Sequence, residues 1–87
     1  MNGTAFGMIY VYVLKSLVDK RYYIGITKNL ENRIFKHNAG GVSSTKHRKP
    51  FELKYSEEFE NYNLARIREK EIKSYKGGNS FKKLIGV

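Results

Sequence analysis

Eighty-seven residues, 40% hydrophobic and 29% charged, have room for one domain with a modest core, which excludes both a second independent core and a compositionally disordered chain. With no cysteine, a disulfide framework and a cysteine-based zinc site are excluded too. Seventeen Lys and Arg against eight Asp and Glu leave a net charge of +9. Such a surface favours nucleic acid over an anionic membrane, because the basic helical segments lack the apolar face that a membrane surface needs.

Residues 1–7, with two glycines and no periodicity, read as a flexible leader, so the folded domain is expected over 8–87. The start Met1-Asn2-Gly3 has no positive charge of the secretory kind, and the longest apolar run, Met8 to Leu14, is far short of the roughly 20 residues of a membrane-spanning helix. A soluble, cytoplasmic protein is expected. Ile9 to Lys15 alternates Ile9, Val11 and Val13 with Tyr10, Tyr12 and Leu14, which predicts a strand covered on both faces. After the short connection Ser16–Lys20, Arg21 to Ile26 predicts the second strand of an antiparallel hairpin. Gly25 within it marks a bulge or a place where another group approaches the backbone.

Thr27 and Asn29 are both suited to cap a helix running to about Asn38, which Gly40-Gly41 ends. Gly41 to Pro50 is small, polar and basic, and reads as a phosphate-contacting loop. Phe51 to Phe59 predicts a third strand, with Phe51, Leu53 and Tyr55 on one face and Glu52, Lys54 and Ser56 on the other. Asn61 then caps a helix to about Lys76, stopped by Gly77-Gly78, and Phe81, Leu84 and Ile85 predict a short last helix.

Three groups of residues can carry chemistry. Glu69 lies about 40° round its helix from Ala65 and about 60° from Ile72, so a carboxylate borders the stripe that faces the sheet. It is suited either to an i,i+4 ion pair with Lys73 or to holding Mg²⁺, which takes one or two protein oxygens with waters and substrate phosphates. Arg33 and His37, four apart on one helix face, are either solvated or a phosphate clamp with a proton carrier beside it. Tyr10, Tyr12, Tyr22 and Tyr23 crowd two neighbouring strands, as core packing or as two phenols brought to one spot.

Together these residues resemble a known family. Tyr10-Val11-Tyr12, Tyr23-Ile24-Gly25, Arg33, His37 and Glu69, with intervals of eleven from Tyr12 to Tyr23, eight from Gly25 to Arg33 and four from Arg33 to His37, are similar to the GIY-YIG endonuclease signature. Thr45 ahead of a basic stretch ending at Pro50 fits the same pattern. The small stand-alone members resemble the chain most, although its first motif has Tyr10 where the family name has glycine. The resemblance implies an α+β fold, a three-stranded antiparallel sheet flanked by helices, with one divalent ion, Mg²⁺ or Mn²⁺, held by Glu69. It implies that Tyr12 acts as general base or orients the attacking water and that Tyr23 supports it. Arg33 would stabilise the pentavalent phosphate, and His37 would assist proton transfer.

The expected activity is metal-dependent hydrolysis of DNA phosphodiester bonds, in DNA repair or recombination, with Thr45, Lys46, Arg48, Lys49 and Lys73 contacting nucleic acid. The alternatives are a non-catalytic binding module on the same fold and a nuclease active only with a protein partner. A carboxylate beside a phosphate-binding face repels the backbone unless a cation intervenes, which favours the enzyme over a pure binder.

Overall fold

The structure, a computed structural model, describes residues 7–87. The expected leader therefore lies outside the described residues except for Gly7, which is exposed at a positive φ of 82°. Three strands, β1 (Ile9–Ser16), β2 (Tyr22–Thr27) and β3 (Phe51–Phe59), form one antiparallel sheet in the order β2-β1-β3. Three helices, α1 (Leu30–Asn38), α2 (Tyr62–Ser74) and α3 (Asn79–Ile85), complete the α+β fold.

β1 is the middle strand, which is why its two faces are both apolar. Ile9, Val11 and Val13 pack with Ala65 and Ile72 of α2 and Phe81 of α3. On the opposite face Tyr12 and Leu14 pack with Phe51 and with Leu30 and Ile34 of α1. The sheet is thus covered by α2 and α3 on one side and α1 on the other, and α1 and α2 approach the free edge of β2 from opposite faces.

β3 has its expected span, but its alternation does not persist. Leu14 pairs with Leu53 and Val13 with Tyr55, so Lys54 is an extra residue in the ladder. This bulge reverses the inward face part-way along the strand. Phe51 and Leu53 share the face of Leu14, whereas Tyr55 turns to the opposite face and packs near Val13. The expected single-face set of Phe51, Leu53 and Tyr55 is corrected accordingly.

Of the two expected caps for α1, Asn29 serves, accepting from the Asn32 N–H at 3.1 Å, while Thr27 closes β2 and accepts from the Asn29 N–H at 3.1 Å. Asn61 caps α2 through the Leu64 N–H at 3.0 Å. That helix stops at Ser74 rather than near Lys76, because Lys76 and Gly77 both adopt positive φ, at 51° and 75°. Among the described residues no helix is long and apolar enough to cross a membrane.

Candidate active site

Tyr12 and Gly25 face each other across the β1–β2 ladder. The phenol needs that glycine: a Cβ at position 25 would stand 2.6 Å from the Tyr12 Oη. The missing side chain lets the hydroxyl cross β2 and reach a cleft of about 620 Å³ at the sheet edge. Tyr12, Tyr23 and Gly25 line that cleft from the sheet, Arg33 from α1, and Tyr62, Arg66, Glu69 and Lys73 from α2.

Behind Tyr12 lies a buried chain of polar groups. The Tyr12 Oη is 3.1 Å from His37 Nε2, and His37 Nδ1 is 2.8 Å from the Thr45 Oγ1, which in turn donates to the Val42 carbonyl at 3.4 Å. Burial, assisted by the positive charge of Arg33, holds His37 below the usual histidine range, so its ring is neutral at pH 7. A neutral imidazole has one N–H and one lone pair. In the tautomer whose Nδ1–H is donated to the Thr45 oxygen, the Nε2 lone pair faces the Tyr12 hydroxyl. Tyr23 and Phe51 hold the imidazole in place, with ring centroids 4.9 and 5.6 Å away.

Burial raises the Tyr12 phenol above the ordinary tyrosine value, and the neighbouring Arg33 acts in the opposite direction. Arg33 is itself notable for a missing partner: its Nε is buried and has no hydrogen bond. Arg33 also lines the cleft, where its planar guanidinium fork suits a phosphate oxygen. Across the cleft, Glu69 pairs with Lys73 at 3.2 Å. Of the two expected uses of Glu69, the i,i+4 pair is present, and the carboxylate also lines the cleft.

The five expected catalytic residues converge, four on the cleft and His37 through Tyr12. The expected nucleic-acid contacts divide. Lys73 lines the cleft, whereas Thr45, Lys46, Arg48 and Lys49 do not. Thr45 is 1% exposed with its hydroxyl committed to His37 and Val42, so it supports the imidazole from behind instead of meeting a phosphate. Arg48 pairs with Asp19 at 2.8 Å and lies over Phe51, while its carbonyl accepts from the Ser16 hydroxyl at 2.6 Å. Its loop is fastened to the β1–β2 turn.

Tyr62 and Arg66 line the cleft without having been singled out from the sequence. Tyr62, Arg66, Glu69 and Lys73 recur at helical spacing, a polar stripe that reading Glu69 alone overlooked. Among the described residues no three His, Asp or Glu side chains gather into a metal cluster. The donor set of the cleft is a single carboxylate, which suits Mg²⁺, an ion that keeps several waters and takes phosphate oxygens, and does not suit a fully protein-caged ion.

Residues 8–82 match the GIY-YIG catalytic domain. A UPF0213 protein of Natronomonas pharaonis is 47% identical over 66 residues, covering 75% of this chain and 76% of the relative. A UPF0213 protein of Clostridium perfringens is 49% identical over 67 residues, covering 76% and 71%. The solution NMR structure of a UPF0213 protein from Bacillus halodurans superposes with a TM-score of 0.58 at 31% identity, covering 91% of this chain and 83% of that one. With the family match running from the residue before β1 into α3, and with a solved relative sharing the fold, the chain belongs to the GIY-YIG family, whose catalytic domain is of the nuclease type.

Proposed function

We propose that this protein is a divalent-metal-dependent endonuclease that hydrolyses DNA phosphodiester bonds through Tyr12, Tyr23, Arg33, His37 and Glu69. The observation that carries the reading is a single cleft lined by the Tyr12 phenol, the Arg33 guanidinium and the Glu69 carboxylate. Cation, proton acceptor and carboxylate are the three groups that hydrolysis of a phosphodiester asks of a site.

Arg33 takes the scissile phosphate and stabilises the charge that builds on its oxygens. The Tyr12 oxygen, with its own proton directed to His37 Nε2, presents a lone pair to a water placed for in-line attack on phosphorus. As the water oxygen bonds to phosphorus and the displaced ester oxygen departs on the far side, the water proton passes to Tyr12 and the phenol proton to His37. Burial opposes a free phenolate at Tyr12, so the neutral imidazole behind it is the group that makes the transfer feasible. Tyr23 holds the imidazole. Glu69 would hold a Mg²⁺ or Mn²⁺ ion, which when bound supplies positive charge against the anionic phosphate and the displaced oxygen. DNA repair or recombination is the setting that such hydrolysis serves.

The test is cleavage of end-labelled DNA with Mg²⁺ or Mn²⁺ by wild-type protein and by Glu69→Gln, a near-isosteric change. Wild-type cleavage is expected, with loss of at least about 100-fold in the variant while its circular dichroism and DNA affinity are retained. A wild type that binds DNA and cuts with neither ion is a binding module. A variant that cuts as well as wild type removes Glu69 from the site.

A further inference from the structure

The cleft does not end at the catalytic residues. A second cavity of about 480 Å³ shares Tyr22, Ile24 and Lys73 with it and continues along the β2 edge toward the start of α3. Ile24, Ile72 and Phe81 give this cavity an apolar floor, while Lys20, Arg21 and Lys76 supply a basic rim. Among the described residues none of these three rim cations is in an ion pair, and the acidic residue nearest in sequence, Asp19, is engaged by Arg48. Positive charge over a low-dielectric floor concentrates the field that draws a polyanion.

The backbone supplies a second observation. Among the described residues, two non-glycine positions have positive φ, Lys20 at 65° and Lys76 at 51°, and both belong to this rim. One lies in the turn between β1 and β2 and the other just after α2. In both settings glycine or asparagine meets the left-handed conformation at less cost than a side chain such as lysine. Two unrelated turns thus carry a cation at a conformationally unfavourable position beside one cavity. Lys20 Nζ rests on the Leu17 carbonyl at 3.1 Å, an exposed contact that it can exchange for a stronger acceptor.

We propose that this cavity is a phosphate-backbone subsite: it takes the nucleic-acid strand where it leaves the cleft, with Lys20, Arg21 and Lys76 on successive phosphates. The proposal rests on the nuclease reading and adds to it the path of the strand. Contacts of this kind position a strand without reading its bases, so the subsite raises affinity equally across sequences.

Glycine substitution separates this role from a structural one. The double variant Lys20→Gly with Lys76→Gly removes two cations and also relieves both backbones, so a purely structural lysine pair and a binding pair respond differently. Anisotropy titrations with labelled single-stranded and duplex DNA of one sequence, in EDTA at several salt concentrations, compare wild type, the double variant and a charge-matched control. The control, Lys36→Gln with Lys54→Gln, changes lysines that line neither cavity. In the glycine variant, melting temperature is expected to hold or rise. The slope of log affinity against log salt is expected to flatten by roughly 1.4 to 1.8, the share of two phosphate contacts.

A slope and affinity equal to wild type, or equal to those of the control, would overturn the subsite. A fall in melting temperature with unchanged binding would assign both lysines to folding. Wild-type protein that binds neither DNA form overturns the subsite, and one that also cuts no DNA with Mg²⁺ or Mn²⁺ overturns the nuclease reading with it. Wild-type binding and cleavage with an unaltered slope in the glycine variant removes the subsite alone.

Discussion

Gly25 shows how a single hydrogen in place of a side chain sets the position of the Tyr12 phenol, the group proposed above to take the water proton. The Tyr12 phenol occupies the space a Cβ would need, with both Oη and its ring carbon Cζ within 2.7 Å of that point. Gly25→Ala should therefore push the hydroxyl out of line with His37 Nε2. Overpacking of this kind costs about 1–3 kcal/mol of stability, whereas displacement of a catalytic atom by about 1 Å lowers turnover on the order of 100-fold. Urea unfolding and DNA-cleavage rates on the same sample check both figures. A variant that keeps near-wild-type turnover would show that the phenol position is not critical. From the sequence, a glycine inside a strand indicated either a bulge or a group approaching the backbone, and the structure shows the latter. The identity of the approaching group, a side chain from the next strand, depends on the strand register.

At the scale of elements, the site is held by the junction between α1 and β3. The Asn38 side chain spans it, accepting from the Phe51 N–H at 2.6 Å and donating to the Phe51 carbonyl at 3.3 Å. Asn38 follows His37 directly and Phe51 packs against the His37 ring, so the clamp also fixes the imidazole. Asn38→Ala removes both bonds and leaves a strand N–H without its acceptor, at a cost of about 2 kcal/mol. Denaturant unfolding should show this loss, accompanied by exchange broadening of the His37 ring resonances. Unchanged resonances would confine the clamp to stability. The end of α1 near Asn38 and the Asn61 cap of α2 were legible from local chemistry, whereas the choice of Asn29 over Thr27 and the stop of α2 at Ser74 were not. Nor was the bulge at Lys54, since an extra residue in one strand is defined only by the partner strand it opposes.

For the whole molecule, acid stability is linked to the buried ring. His37 is held below its ordinary pKa when folded and returns to that value on unfolding. Between the depressed and the ordinary value the unfolded chain binds the additional proton, so stability is present above the ordinary histidine value and is lost as pH falls through this window. The limit for one group is about 1.4 kcal/mol per pH unit. The net charge of +9 adds self-repulsion that grows as carboxylates become protonated at still lower pH. Unfolding free energies measured at about pH 7.5 and about pH 5 should differ less in His37→Gln than in wild type. An equal difference in both proteins would exclude His37 as the titrating group.

Charge, period and spacing by themselves determined much of this protein: a basic surface suited to polyanions, a first strand covered on both faces, a helix capped by Asn61, and a motif whose intervals resemble a nuclease family. Each of these is local, or depends on the order of residues along the chain. The tertiary structure alone decided which groups meet. It brought Glu69 and Arg33 to one cleft from opposite faces of the sheet, and it placed Thr45 behind His37 instead of on a phosphate. It also joined two lysines, fifty-six positions apart in sequence, on the rim of one cavity. The physical reason is that hydrogen-bond partners and cavity walls are assigned by strand register and helix packing, long-range contacts to which local periodicity carries no reference.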